Sequence, residues 1–137
     1  MCIRDSTTST SYRMYAIPFV KLGTGVTAVS VDCGSQFTCA VLNDGSAKCW
    51  GYSGYAQLGD ARYNMGSSSY PMAQVKPIFL GENRTAVSIA AGNLHTCAIL
   101  DTGDLKCWGD NRYGQCGIGS TIRYGYATTY GLSLIHI

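Results

Sequence analysis

H-T-C-A-I-L-D-T-G-D-L-K-C-W-G, residues 95–109, contains a whole β-hairpin. An apolar run ends at Leu100, Asp101-Thr102-Gly103 turns the chain, and a return run ends at Cys107-Trp108-Gly109. The same pattern stands earlier, as F-T-C-A-V-L-N-D-G-S-A-K-C-W-G at residues 37–51. A supersecondary unit that recurs in this way points to a stacked or circular array.

The identity extends well beyond the hairpin. At an offset of 58 residues, Val29-Ser30 falls on Val87-Ser88, Gly34 on Gly92, and Lys48-Cys49-Trp50-Gly51 on Lys106-Cys107-Trp108-Gly109. Tyr55, Gln57 and Gly59 fall on Tyr113, Gln115 and Gly117, and upstream Leu22-Gly23 falls on Leu80-Gly81. Two complete units follow, residues 7–64 and 65–122, with the start of a third at 123–131. Residues 1–6 and 132–137 fit neither the repeat nor a capping pattern, and they read as non-native, translated adapter or cloning sequence.

Each unit reads as all-β. Short strands rich in Val, Ile and Ser are expected at 27–33 and 85–91, then at 37–42 and 95–100, then at 47–51 and 105–109. A weaker extended segment, 17–22 or 75–80, contains a Pro and suits an edge, where a missing N–H does no harm. No helical period is sustained. Ala40 and Leu42 alternate with Cys39 and Val41, so both faces of that strand are apolar and both should be covered. The fold expected is therefore about two four-stranded antiparallel blades of a β-propeller, with the ring incomplete.

Bulk composition agrees with a packed domain and excludes several classes. The chain has 137 residues, 46% apolar and only 13% charged, with a net charge of +2. No Lys/Arg block is present, so there is no nucleic-acid signal. No apolar run reaches the ~20 residues of a membrane span, and no signal-peptide h-region follows Met1.

The pattern V-S-I-A-A-G-x-x-H-T-C-A-x-L-x-x-G-x-x-K-C-W-G-x-N-x-x-G-Q-x-G at residues 87–117 resembles the repeat of the regulator of chromosome condensation family. That resemblance implies a seven-bladed propeller built from further blades of the same kind. It also makes Gly34, Gly45, Trp50, Gly51, Gly92, His95, Gly103, Trp108 and Gly109 structural motif positions. Departures are mild: Phe37 replaces His95, Ser53 replaces Asn111, Ala56 replaces Gly114, and Cys116 stands where the first unit has Leu58. Closed propellers use ~4–8 blades, so the chain is expected to be part of a larger ring. Alone it should expose apolar blade faces and associate.

Seven cysteines occur, four of them in two equivalent pairs, Cys39/Cys49 and Cys97/Cys107. A three-residue turn ending in a left-handed Gly45 pairs Leu42 with Ser46 and sets Cys39 opposite Cys49. Asp101-Thr102-Gly103 does the same for Cys97 and Cys107. Opposed Cβ atoms lie ~4.5–5.5 Å apart, close to disulfide reach. Cross-strand disulfides would imply an oxidising compartment; reduced thiols filling the core are the other reading, and would leave the protein cytoplasmic. Cys33 and Cys116 have no repeat partner, and the absence of CxxC argues against zinc.

Among the remaining candidates, Asn83-Arg84-Thr85 is an N-glycosylation sequon, and Gln57 and Gln115 are expected to bond backbone groups within a blade. His95 is read as a packing residue, and Asp104 and Asp110 as loop polar groups. Tyr52, Tyr55, Tyr63, Tyr113, Tyr124, Tyr126 and Tyr130 fall mostly in loops, where Tyr either packs blade on blade or anchors a partner. No nucleophile elbow, phosphate loop, paired-carboxylate motif or metal helix is present, so no catalytic, cofactor or metal residue is assigned. The functional expectation is a non-catalytic scaffold for a protein partner. The resemblance adds two alternatives: guanine-nucleotide exchange on a small GTPase, and a secreted recognition or inhibitor propeller of the β-lactamase-inhibitor type. The plant ultraviolet-B receptor branch is disfavoured, since Trp50 and Trp108 are the only tryptophans.

Overall fold

The computed structural model describes residues 13–59 and 65–122. Two antiparallel sheets of three strands make up the frame. The first is β1 (Ala28–Cys33), β2 (Phe37–Leu42) and β3 (Ala47–Gly51); the second is β4 (Ala86–Ala91), β5 (His95–Leu100) and β6 (Leu105–Gly109). Single 3-10 turns, Met14–Ala16 and Met72–Gln74, occupy equivalent places in the two units. The non-native end readings (1–6, 132–137), residues 7–12, the third-unit start (123–131), and Tyr63, Tyr124, Tyr126, Tyr130 and His136 lie outside the described residues.

The turn chemistry sets the register. Gly45 and Gly103 take φ of 80° and 86°, the left-handed region that closes a three-residue hairpin loop. Leu42 N–H donates to Ser46 C=O at 2.8 Å, and Leu100 N–H to Asp104 C=O at 2.9 Å. From there Val41 pairs with Ala47, Ala40 with Lys48 and Cys39 with Cys49, and β5 and β6 repeat the pattern with Cys97 opposite Cys107. The first turn residue also anchors the neighbouring strand. The side chains of Asn43 and Asp101 accept the amides of Thr27 and Thr85 at 3.0 and 3.1 Å, which fixes where that strand starts. Each β1–β2 type pair carries one bulge, between Ala28 and Ser30 and between Ala86 and Ser88.

The expected fourth strand is corrected by the structure. Among the described residues each sheet has three strands, and the outer edge of β3 is met only at single points. Met65 forms an isolated bridge with Gly51, and Ile78 N–H donates to Ala47 C=O at 2.7 Å. Pro77 has no N–H to donate, so a continuous ladder cannot form there. This edge comes from the head of the second unit, so sheet and sequence repeat are offset.

Cross-strand partners share a face, which assigns every side chain to one side of its sheet. Cys39, Val41, Ala47 and Cys49 of the first sheet face the second. Ala86, Ile89, Ala98, Leu100 and Trp108 face back, with Leu58, Val75, Ile78 and Leu80 closing the same core. The covering of both faces of β2 expected from its sequence is found: from Cys39 to Leu42 every residue is buried. In β5 the alternate residues Cys97 and Ile99 are not.

Candidate functional site

The seam between the sheets is organised by one carbonyl. Gln57 is fully buried, and its main-chain oxygen accepts both the Thr96 hydroxyl at 2.9 Å and the Trp108 indole N–H at 3.0 Å. Thr96 and Trp108 are cross-strand partners, so β5 and β6 present the two donors together. The Gln57 side chain turns the other way and accepts the Tyr55 amide at 2.8 Å; Gln115 does the same for Tyr113 at 3.0 Å. Both glutamines thus bond backbone within their blades, as expected from sequence. Further bonds cross the seam from Ala86 N–H to Gly45 C=O (2.8 Å) and from Ser35 N–H to Asn93 C=O (3.1 Å).

Asp32 adds a bond that the repeat does not foretell. Its carboxylate accepts the Ala91 amide of the second sheet at 2.8 Å and the Cys33 amide at 2.9 Å. These two amides, Ala91 first, hold its carboxyl below the usual carboxylate pKa. The residue equivalent to Asp32 in the second unit is Ala90, which is why no sequence signal marks it.

The lysines of the K-C-W-G motif have a role that sequence reasoning misses. Lys106 is buried, its Nζ donates to Leu80 C=O at 2.6 Å, and burial lowers its pKa. Lys48 holds Leu22 C=O at 2.7 Å in the same manner. The recurring Lys pins an extended segment whose carbonyls have no strand partner.

The paired cysteines meet as opposed residues. Cα atoms lie 4.1 Å apart for Cys39 and Cys49 and 4.0 Å for Cys97 and Cys107, with the sulfur atoms of each pair at disulfide distance. The first pair is sealed beneath the second sheet; the second pair lies on the sheet's other, partly open face. Cys33 is exposed, and Cys116 is a buried thiol whose pKa is raised by burial.

Of the motif glycines, Gly34, Gly51, Gly92 and Gly109 are packed against backbone or rings, Gly45 lies against the Thr85 side chain, and Gly103 is open. A Cβ at Gly51 would fall 2.5 Å from Gln36 O, and one at Gly109 2.7 Å from Leu94 O. Gly34 and Gly92 lie under the rings of Phe37 and His95, which accounts for the substitution of one ring for the other. His95 is half-buried in this packing position. Asn83 is exposed in a turn at φ 55°, where the first unit has Gly25 at φ 74°.

Above the strand ends, the post-hairpin loops form a rim. Arg112 makes a forked ion pair with Asp110, 2.9 Å to Oδ1 and 3.0 Å to Oδ2, and its guanidinium lies 4.9 Å from the centre of the Tyr55 ring. Asp110 raises the Arg112 pKa, so the guanidinium stays charged. Asp110 is buried and structural, in contrast to the loop polar group read from sequence. Asn111 supports it, donating to Ser120 C=O and Ile122 C=O at 2.8 Å and accepting the Cys116 amide at 3.0 Å. Tyr55 bridges the blades here, while Tyr113 and Tyr52 stand exposed on the same rim. Among the described residues no group of three His, Cys, Asp or Glu side chains could hold a metal ion, and no helix is long and apolar enough to cross a membrane.

Three-stranded antiparallel blades joined by such a seam define a β-propeller segment. Residues 28–57 and 86–115 match the regulator of chromosome condensation (RCC1) repeat. Human E3 ubiquitin-protein ligase HERC2 is 34% identical over 98 residues, 72% of this chain and 2% of that protein. The ultraviolet-B receptor UVR8 of Arabidopsis thaliana is 33% identical over 95 residues, 69% of this chain and 20% of that one. The Caenorhabditis elegans homolog of X-linked retinitis pigmentosa GTPase regulator is 31% identical over 90 residues, 66% of this chain and 6% of that one. Prp20p from Saccharomyces cerevisiae has the same fold, with a TM-score of 0.59 at 22% identity over 74% of this chain and 24% of its own. A chain in the structure of Kap60 bound to yeast RCC1 (Prp20) gives 0.63 at 20% identity, over 80% of this chain and 26% of its own. Residues 28–57 and 86–115 are RCC1 repeats, and the chain is an RCC1-like propeller segment that spans a small part of these relatives.

Proposed function

We propose that this segment is a non-catalytic scaffold whose loop rim binds a protein partner, within a propeller built from units 7–64, 65–122 and further repeats. The observation that carries the reading is the Asp110–Arg112–Tyr55 stack. It fixes a charged guanidinium beside exposed Tyr113, on loops tied to a rigid β frame. Arg and Tyr are the residue types that most often anchor protein interfaces, and such anchors work best when already ordered. The test is crosslinking mass spectrometry of the longer protein with its bound partner, comparing wild type with Tyr113→Ala and Arg112→Ala. Crosslinks at the rim that both variants lose support the reading; unchanged partner crosslinks elsewhere overturn it.

Nucleotide exchange is the finer alternative, suggested by the GTPase-regulator relative. Accelerated release of a labelled guanine nucleotide from a small GTPase by the longer protein would select it. The paired cysteines favour a third setting, the secretory lumen, where the pairs are oxidised and the exposed Asn83 of the Asn-Arg-Thr sequon carries a glycan. An Asn83→Gln variant with the gel mobility of wild type would argue against the glycan, and free thiols at all four paired cysteines of the unreduced protein would argue against the setting.

A further inference from the structure

We propose, resting on the rim-binding reading above, that the rim recognises its partner as an uncharged, aromatic-bearing peptide segment and not as a carboxylate or a phosphate. Arginine recognises an anion most strongly through two parallel N–H groups. In Arg112 the side-on pair, Nε–H and Nη2–H, already donates to Asp110 at 2.9 and 3.0 Å, and Asp110 is buried. The Arg112 side chain is 45% exposed, so it offers a partner its flat guanidinium surface and its Nη1 edge. A second anion brought there meets a pair that is neutral as a unit, and gains little for the hydration it loses. A main-chain carbonyl or an aromatic ring has no such charge to desolvate.

The rest of this end carries no charge to offset that. In its described loops, 34–36, 52–59, 92–94 and 110–117, Asp110 and Arg112 are the only charged residues. Acids gather at the opposite end, where Asp44, Glu82, Asp101 and Asp104 stand with Arg84 in or beside the turns. The exposed side chains of the rim end are instead neutral: Tyr52, Gln36 and Asn93. Surfaces built from Tyr, Asn, Ser and Gly bind uncharged protein segments through ring contacts and adaptable hydrogen bonds. The ion pair is confined to the second loop, since the first unit has Tyr52 and Gly54 at the equivalent positions. Tyr55 of the first blade's loop meets Arg112 of the second's, so the contact spans the seam and does not depend on what covers either end of the chain.

Selection from a phage-displayed random peptide library on the longer protein tests this, with Arg112→Lys as the comparison. Lysine keeps the charge but loses the planar guanidinium, so it separates recognition by charge from recognition by plane and ring. Near-ultraviolet circular dichroism checks that the variant is folded. Peptides that bind wild type and lose about tenfold or more in affinity for Arg112→Lys define the site. They are expected to be rich in Trp, Tyr and Phe and poor in Asp and Glu. Their Kd should change less than about threefold between ~50 and ~500 mM sodium chloride. Selection on Asp110→Asn, which frees the fork, should turn toward acidic peptides. Acid-rich peptides from wild type, or a Kd that rises about tenfold with salt, overturn the neutral partner and leave the rim as the binding surface. An unchanged peptide set from folded Asp110→Asn overturns the role given to Asp110. Recovery of no Arg112-dependent peptide overturns the rim reading itself, and this proposal with it.

Discussion

Trp108 reaches across the blade seam to donate its indole N–H to the main-chain carbonyl of Gln57, at 3.0 Å. Thr96 shares that acceptor, so the most distinctive recurring residue of the repeat is tied to a backbone atom, not to another side chain. Trp108→Phe keeps an aromatic ring but strands the seam on one donor. A loss of about 1–2 kcal/mol is expected. Trp108→Ala adds a cavity and should cost about 3–5 kcal/mol. Urea melts of the full chain measure both, and Thr96→Val in combination with Trp108→Phe should be non-additive, because the two donors share one oxygen.

The two cysteine pairs are equivalent in sequence but differ in shelter. Cys39 and Cys49 lie under the second blade, and Cys97 and Cys107 lie on a face that no described residue seals. A mild phosphine reductant should open the second pair first. Thiol labelling followed by peptide mapping reads the order. Removing either pair by Cys→Ser substitution should lower stability by about 2–3 kcal/mol through the lost loop constraint. Equal labelling rates would show that the seam does not protect the first pair.

Hairpins, turn type and register are legible in the sequence because each is a local consequence of residue order. A left-handed Gly45 or Gly103 leaves one register open, and that register places Cys on Cys. What is not legible is what depends on the approach of a second blade. Asp32 has no repeat equivalent, and its role exists only because Ala91 arrives beside it. The Lys48 and Lys106 ammonium groups have the pattern of solvent-facing charges in a strand, yet they satisfy carbonyls 26 residues upstream. A fourth strand suggests itself because a proline is compatible with a sheet edge, but the missing N–H of Pro77 leaves only isolated contacts. Asp110 and Arg112 form no motif, since a forked ion pair two residues apart in a loop has no periodic signature.

Lys106 provides a direct test of the edge segment. Lys106→Met preserves most of the packed stem and removes the donor, leaving Leu80 C=O without its 2.6 Å bond. The expected loss is about 1–3 kcal/mol, the range for stranding a buried polar group. Lys48→Met should cost less, since Lys48 is only half-buried. Hydrogen exchange should rise at the Ile78 amide, which bonds Ala47 C=O from the same segment. A Lys106→Met chain with unchanged stability and unchanged exchange at Ile78 would show that the segment is held by its apolar contacts alone.

The Asp32 carboxylate makes the seam sensitive to acid, and the sign follows from its bonds. Its folded pKa lies below 3.8 because the Ala91 and Cys33 amides donate to the charged form. The charged form is therefore favoured by folding, and this contribution is fully present above 3.8 and lost as pH falls through the depressed folded value. Asp44 is lowered too, chiefly by the Ser46 hydroxyl, so part of any acid loss belongs to the first turn. Asp32→Asn separates the two, since it removes the seam carboxylate and leaves Asp44 in place. Urea midpoints measured from about pH 6 down to about pH 2 should fall less steeply in the variant than in wild type, with the difference confined to the acid end. Parallel curves would mean that the Ala91 amide gains nothing from the charge of its acceptor.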